Sequence, residues 1–158
     1  MDFIGPLKPA VDDGHTYEHV LVIIDRLSKG VQLLPFHDTS IEKIAKEFIR
    51  HYIPHHGLPD AIVSDRQWAG QLWRRLCGLL GIERRISTAY HPQTDGATER
   101  ANAEVKKKLS RVLELAEDGW LDKLPAIQLA INSSPASSTG VAPFFLGHGY
   151  CYDIVQQI

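Results

Sequence analysis

Five consecutive apolar residues, Val20 to Ile24, stand between His19 and Asp25, and four of them are β-branched. Side chains on a strand alternate between its two faces, so a run without a polar residue must be covered on both. That demands a central strand with helices packed above and below. The run is far too short to cross a bilayer. Arg26-Leu-Ser-Lys-Gly30 carries turn chemistry, and Val31 to Phe36 follows as a second strand, so 19–36 reads as a hairpin. Asp25 is expected to cap its turn.

Downstream the pattern changes period. Thr39-Ser-Ile-Glu42 fits a capping box, and Ile41, Ile44, Ala45, Phe48, Ile49 and Tyr52 keep helical spacing, which predicts a helix over about 40–53. His55-His56-Gly57-Leu58-Pro59 stops it, and the two histidines are read as helix-end residues. Ala61 to Val63 is a short strand ending at Ser64-Asp65. A helix is predicted over 70–80, with Leu72, Leu76, Leu79 and Leu80 inward and Gly81 as its C-terminal cap. Trp68 and Trp73 are assigned to core or interface. Glu83 to Ser87 reads as a strand and 88–96 as a loop. A long helix is predicted over about 97–117 and another from Trp120 to Ile131, kinked or broken at Pro125. Residues 133–140 read as a polar linker, and Val141 to Leu146 as the start of a last short helix. This order of elements is that of an α/β protein with a mixed sheet.

The 158 residues suffice for one domain with a sizeable core. At 44% hydrophobic and 23% charged residues, disordered and fibrous classes are excluded. Cys77 and Cys151 form no CxxC, which argues against a disulfide scaffold or a cysteine-rich zinc module. No signal-peptide pattern and no membrane partner are expected. The net charge of −2 would by itself disfavour a polyanion partner, but the average conceals a division. Residues 65–111 hold ten bases against five acids, a surplus of +5, while the rest holds seven bases against fourteen acids. The middle third is a basic strip in an acidic chain, suited to weak binding of a phosphate backbone.

Three acids stand where chemistry can use them: Asp2 near a strand end, Asp65 closing an apolar strand, and Glu99 in the first turn of the long helix. At about 100° per residue, Glu99, Ala103, Lys106 and Ser110 share one face, with a separate apolar stripe of Ala101, Val105, Leu109, Val112 and Ala116 expected to pack on the sheet. Converging carboxylates repel unless a cation joins them, and Mg²⁺ favours such hard oxygen ligands. Two such ions about 4 Å apart would activate a water or hydroxyl and stabilise the leaving oxygen of a phosphoryl transfer.

The segments carrying these acids resemble a known family. Met1-Asp-Phe-Ile-Gly-Pro-Leu7, Val22-Ile-Ile-Asp-Arg-Leu-Ser-Lys29, His56-Gly-Leu-Pro59, Val63-Ser-Asp-Arg66, Leu79-Leu-Gly-Ile82, Ser87-Thr-Ala-Tyr-His-Pro-Gln-Thr-Asp-Gly96 and Thr98-Glu-Arg-Ala-Asn102 are similar, in order, to the integrase catalytic core of gypsy-class LTR retrotransposons, relatives of retroviral integrases. The resemblance implies an RNase H-like three-layer α/β fold with a mixed five-stranded sheet flanked by helices. It implies a D,D,E triad on Asp2, Asp65 and Glu99, catalytic and metal-binding at once, holding two Mg²⁺ or Mn²⁺ ions. The activity implied is trimming of element 3′ ends and their transfer into target DNA. Tyr90, His91, Gln93 and Thr94 in the loop, with Arg100, Asn102 and Lys106 on the helix, are the DNA-contact candidates. A homodimer or higher oligomer and a nuclear location are implied as well.

Three departures qualify the match. Asp65 and Glu99 have 33 residues between them, two fewer than the family's usual spacing, with the gap just after Arg66. The first strand is expected to be short, with Asp2 close to its start. Residues 1–150 are expected to form an isolated core and 151–158 a C-terminal tail, without the family's zinc-binding and C-terminal domains. A degenerate or domesticated core that binds DNA or protein without turnover is the alternative reading.

Overall fold

The computed structural model describes residues 1–64, 70–86, 96–116 and 119–151, with backbone alone for 71, 72, 86, 96–102 and 104. The chain divides into two compact units, 1–21 with 34–92 and 22–33 with 93–158.

In the first unit, β1 (Asp2–Ile4) opens the chain, and β4 (His19–Ile24) and β5 (Val31–Phe36) contribute their outer halves. These three strands form one sheet in the order β1-β4-β5. Strands β6 (Ala61–Ser64) and β7 (Glu83–Ile86) form a parallel pair, in register from Ala61 opposite Glu83 to Ser64 opposite Ile86. Met1 N donates to the Val63 carbonyl at 2.7 Å, so the start of β1 lies against β6. The five strands expected of one mixed sheet are thus recorded as three plus two, joined by that backbone bond. Val20, Leu21 and Phe36 are fully or almost fully buried, as the unbroken apolar run requires.

A second hairpin, β2 (Ala10–Asp12) with β3 (His15–Tyr17), is absent from the sequence reading. Its signal is Asp13-Gly14, whose φ values of 46° and 75° suit a tight two-residue turn. The flanking strands are too short and too polar to display alternation.

The first helix starts one residue later than a capping box on Thr39 implies. Ser40 is the N-cap of α1 (Ile41–Glu47), its hydroxyl accepting the Lys43 N–H at 3.4 Å. Asp38 in turn accepts from the Ser40 N–H and hydroxyl, and these bonds hold its carboxyl below the usual range. Nor does the helix stop at residue 53. It passes through a π-helical turn (Phe48–Tyr52) into α2 (Ile53–His56) and ends at Gly57. Pro54 offers no N–H and its ring would strike the Arg50 carbonyl in a regular α-helix. The wider turn, in which the Ile53 N–H reaches back to the Phe48 carbonyl, takes up that misfit.

Helix α3 (Gln71–Leu79) ends as predicted: Gly81, at φ 69°, donates to the Gly78 carbonyl, and the Ile82 N–H to that of Cys77. Both bonds of a Schellman cap are therefore made. Its inward face is not the predicted one. Trp73 and Cys77 are the buried pair, Leu79 is 86% exposed, Leu76 and Leu80 are half-buried, and the Leu72 side chain lies outside the description. Trp73 meets the ring of Phe48 edge-on at 5.8 Å.

The second unit holds the inner half of the β4–β5 hairpin with three helices. Asp25 caps the turn as expected: it accepts the Ser28 N–H at 2.7 Å and the Ser28 hydroxyl. In α4 (Gly96–Leu115) the buried pair is Leu109 and Leu113. The predicted stripe is rotated accordingly: Val112 is 43% exposed, Val105 and Ala116 are half-buried, and Ala101 has no described side chain. Helix α5 (Trp120–Ser133) is continuous through Pro125, so no break occurs there. Residues 134–141 are not a plain linker, since Ala136 N–H bonds to the Val141 carbonyl and Gly140 N–H to that of Ala136. The last helix, α6 (Pro143–His148), begins two residues later than predicted.

Helix α5 also seals a sheet edge. Asn132 Oδ1 accepts the Val31 N–H at 2.8 Å and its amide donates to the Val31 carbonyl at 2.8 Å, while Gln128 Oε1 accepts the Leu33 N–H at 2.7 Å. One helical turn of amides thus stands in for a neighbouring strand on β5. Asn132→Val strands two backbone groups at once. A loss of about 2–4 kcal/mol is expected in urea unfolding, from about 1–3 kcal/mol per unsatisfied group. A change within about 0.5 kcal/mol would show that water replaces the amide freely.

Candidate active site

Asp2, the first proposed metal ligand, opens β1 and is half-buried. Its Oδ1 accepts the Phe3 N–H at 2.8 Å, which orients the carboxylate. The strand beneath it is held on several sides. Phe3 packs edge-on against Phe36 at 5.6 Å and against His19 at 6.3 Å. At Gly5, with φ 150°, a Cβ would lie 2.6 Å from His19 Cδ2 and 2.7 Å from the Glu18 carbonyl, so only glycine lets the chain pass there.

Strand β6 leads toward the second proposed ligand. Ser64, its last residue, is buried, and Asp65 follows immediately, outside the described residues. Tyr90, His91, Gln93 and Thr94 also lie outside them, as does Trp68. Glu99, Arg100 and Asn102 fall within the first two turns of α4, where the backbone alone is described. The rotated packing face changes what can be said of their positions. The midpoint of the buried pair Leu109 and Leu113 lies about 60° around the helix from position 99, against the roughly 120° expected of the predicted stripe. Position 99 therefore flanks the packed face of α4. Lys106, expected to point outward with it, is half-buried, whereas Lys107, Lys108 and Arg111 are exposed. Among the described residues no three His, Cys, Asp or Glu side chains converge on a metal site.

One basic residue of the second unit escapes sequence reading. Lys29, in the β4–β5 turn, is only 6% exposed and has φ 65°. Burial, and then the Arg26 charge, push its ammonium below the ordinary lysine range, against the pull of Asp25. The charged form is therefore disfavoured in the fold. Between the lowered value and the ordinary one of about 10.4 the unfolded chain binds more protons, so this group's contribution makes stability rise with pH across that window. Lys29→Met should be at least as stable at pH 7 and should flatten that alkaline rise. Equal pH profiles for the two proteins in urea unfolding would refute the assignment. Burial likewise raises the Cys77 thiol, which keeps it protonated and unreactive at neutral pH.

The comparisons with known proteins agree with this architecture. No family model matches the chain. Over 153 residues, 95% of the chain, it is 31% identical to the transposon Tf2-3 polyprotein of Schizosaccharomyces pombe and spans 11% of that relative's length. It resembles a chain of the simian T-cell lymphotropic virus intasome in complex with the PP2A regulatory subunit B56 gamma. That match has TM-score 0.63 and 20% identity, and covers 98% of this chain and 55% of that one. It also resembles the trimeric form of the HTLV-2 integrase catalytic core domain in complex with magnesium, with TM-score 0.61 and 16% identity over 93% of this chain and 95% of that one. The structural likenesses show an RNase H-like α/β fold of the integrase-core type.

Proposed function

We propose that this chain, an integrase-like core of the retrotransposon and retroviral type homologous to the Tf2 polyproteins, is a metal-dependent polynucleotidyl transferase acting on DNA. Asp2, Asp65 and Glu99 are its proposed metal ligands. The observation that carries the reading is the bond from Met1 N to the Val63 carbonyl. That bond sets the start of β1, and with it Asp2, against β6, the strand whose last residue, Ser64, directly precedes Asp65 in the sequence. The donor set fits the ion, since three carboxylates are hard oxygen ligands suited to Mg²⁺ or Mn²⁺. Such ions, two when fully loaded, would supply positive charge at the attacking and leaving oxygens.

The chain's own residues do the rest. The Phe3 N–H holds one oxygen of Asp2. The start of α4 favours an ionised carboxylate at position 99 through the helix dipole. Arg100, Asn102 and Lys106, with Tyr90, His91, Gln93 and Thr94 ahead of them, are proposed to hold the DNA. Water would be the nucleophile in trimming the 3′ end, and the freed 3′-hydroxyl the nucleophile in joining it to target DNA. The proposed setting is the nucleus, with the protein acting as a dimer or larger assembly on element ends and target DNA.

The test is a joining assay on short duplexes with Mn²⁺, run beside DNA binding at several salt concentrations. Joining together with binding that weakens steeply with salt is expected. Salt-dependent binding without any joining would instead establish the non-catalytic core that the 33-residue spacing between Asp65 and Glu99 allows. Lys106→Glu reverses one charge at the proposed interface. It should weaken binding several-fold and reduce the salt slope by more than the single contact's value of about 1. An unchanged slope would remove Lys106 from the interface.

A further inference from the structure

Within the first unit, and away from all three proposed carboxylates in the sequence, two imidazoles meet. His15 opens β3 and is exposed, and His37 follows β5 and is half-buried. Their ring centroids lie 4.4 Å apart, with planes inclined at 41°. Tyr17 meets the His37 ring edge-on at 5.5 Å and restrains it. His15 Nδ1–H donates to the Asp13 carbonyl at 3.0 Å. That bond fixes the tautomer and leaves Nε2 as the basic nitrogen, the arrangement typical of a metal-ligating histidine. The surroundings are acidic: Asp12 pairs with His15 across the hairpin, and Asp13 and Asp38 are close neighbours in sequence.

The spacing is one that two imidazoles on a shared ion would adopt. A metal–imidazole bond measures about 2.0–2.1 Å, and the ring centroid lies about 1.1 Å further along the same line. Two imidazoles at right angles on one ion therefore have centroids about 4.5 Å apart, close to the spacing of His15 and His37. We infer that His15 and His37 form a two-imidazole site for a borderline divalent transition ion. Cu²⁺ binds most strongly and Zn²⁺ less so, following ligand softness and the usual order of affinities. Nitrogen donors separate this site from the hard-oxygen set that suits Mg²⁺. No third His, Cys, Asp or Glu joins the pair among the described residues, so the remaining positions fall to water and the site is open. An ion there ties the β2–β3 hairpin to the segment that leads into α1.

The experiment titrates the whole chain with Cu²⁺ alone, in a non-chelating buffer, by calorimetry and electron paramagnetic resonance. One ion is expected to bind with two nitrogens in its equatorial plane. His15→Gln and His37→Gln, each with an unchanged far-UV circular dichroism spectrum, should each lose at least tenfold in affinity. The chain has eight histidines, so binding at another of them is the rival outcome. Unchanged affinity in either folded variant overturns the proposal. Should His37→Gln fail to fold, the wild-type spectrum decides: two nitrogens that become one in His15→Gln support the site, and a single nitrogen in the wild type overturns it.

Discussion

DNA joining by the Glu99→Gln chain is expected to fall at least about a hundredfold below wild type, with folding and DNA affinity close to unchanged. The substitution keeps side-chain size and helix propensity, so α4 and its buried residues Leu109 and Leu113 should be undisturbed. What it removes is one negative charge. An amide oxygen still donates a lone pair, but two carboxylates offset less of the charge of two divalent cations than three do, and several kcal/mol of transition-state stabilisation depend on holding those ions. At about 1.4 kcal/mol per tenfold, a loss of about 3 kcal/mol is already more than a hundredfold. Asp2→Asn should fall as far, since Asp2 stands in the same proposed set. The two variants together should be little worse than either, because residues that act as a unit do not lose activity additively. Wild-type activity in Glu99→Gln would show that any joining observed came from elsewhere, and the triad would have to be abandoned.

Much of this was legible in the sequence where a signal is local. The apolar run of β4 declared a covered strand, Asp25 declared its turn cap, and Gly81 declared the end of α3. Reading failed where the outcome depends on a distant partner. The apolar arc of helix α3 is broad, running from Leu79 through Leu72 and Leu76 to Trp73 and Cys77, so its leucine edge made as good a stripe as Trp73 and Cys77. The choice is made by Phe48, which lies more than twenty residues earlier in a π-helical turn. The same ambiguity rotated the packed face of α4, where Leu113 took the place given to Val112. Candidate carboxylates could be named because each ends or begins a recognisable element. Their mutual placement has no local signal, since the segment between β7 and α4 shows no periodicity. His15 and His37 were invisible for the same reason, being brought together by a hairpin too short to read.

The choice between the two faces of α3 sets the largest expected stability effect. Trp73→Ala should cost about 3–5 kcal/mol, the range for deleting a fully buried aromatic side chain. The loss has two parts, the apolar area returned to water and the cavity that the surrounding structure cannot close. Closure is hindered here because Phe48, the edge-on partner of Trp73, is itself 1% exposed and stacked on Tyr52 at 4.9 Å. Against a total stability of about 5–15 kcal/mol, such a loss takes a large share and would leave a marginal chain partly unfolded at 37 °C. Leu79→Ala, six residues along the same helix, should change stability by no more than about 0.5 kcal/mol, because that side chain is 86% exposed. Urea unfolding followed by far-UV circular dichroism measures both without relying on tryptophan fluorescence, to which Trp73 is one of three contributors. If Leu79→Ala costs as much as Trp73→Ala, α3 packs on its leucine face and the Phe48–Trp73 contact is not what holds the first unit together.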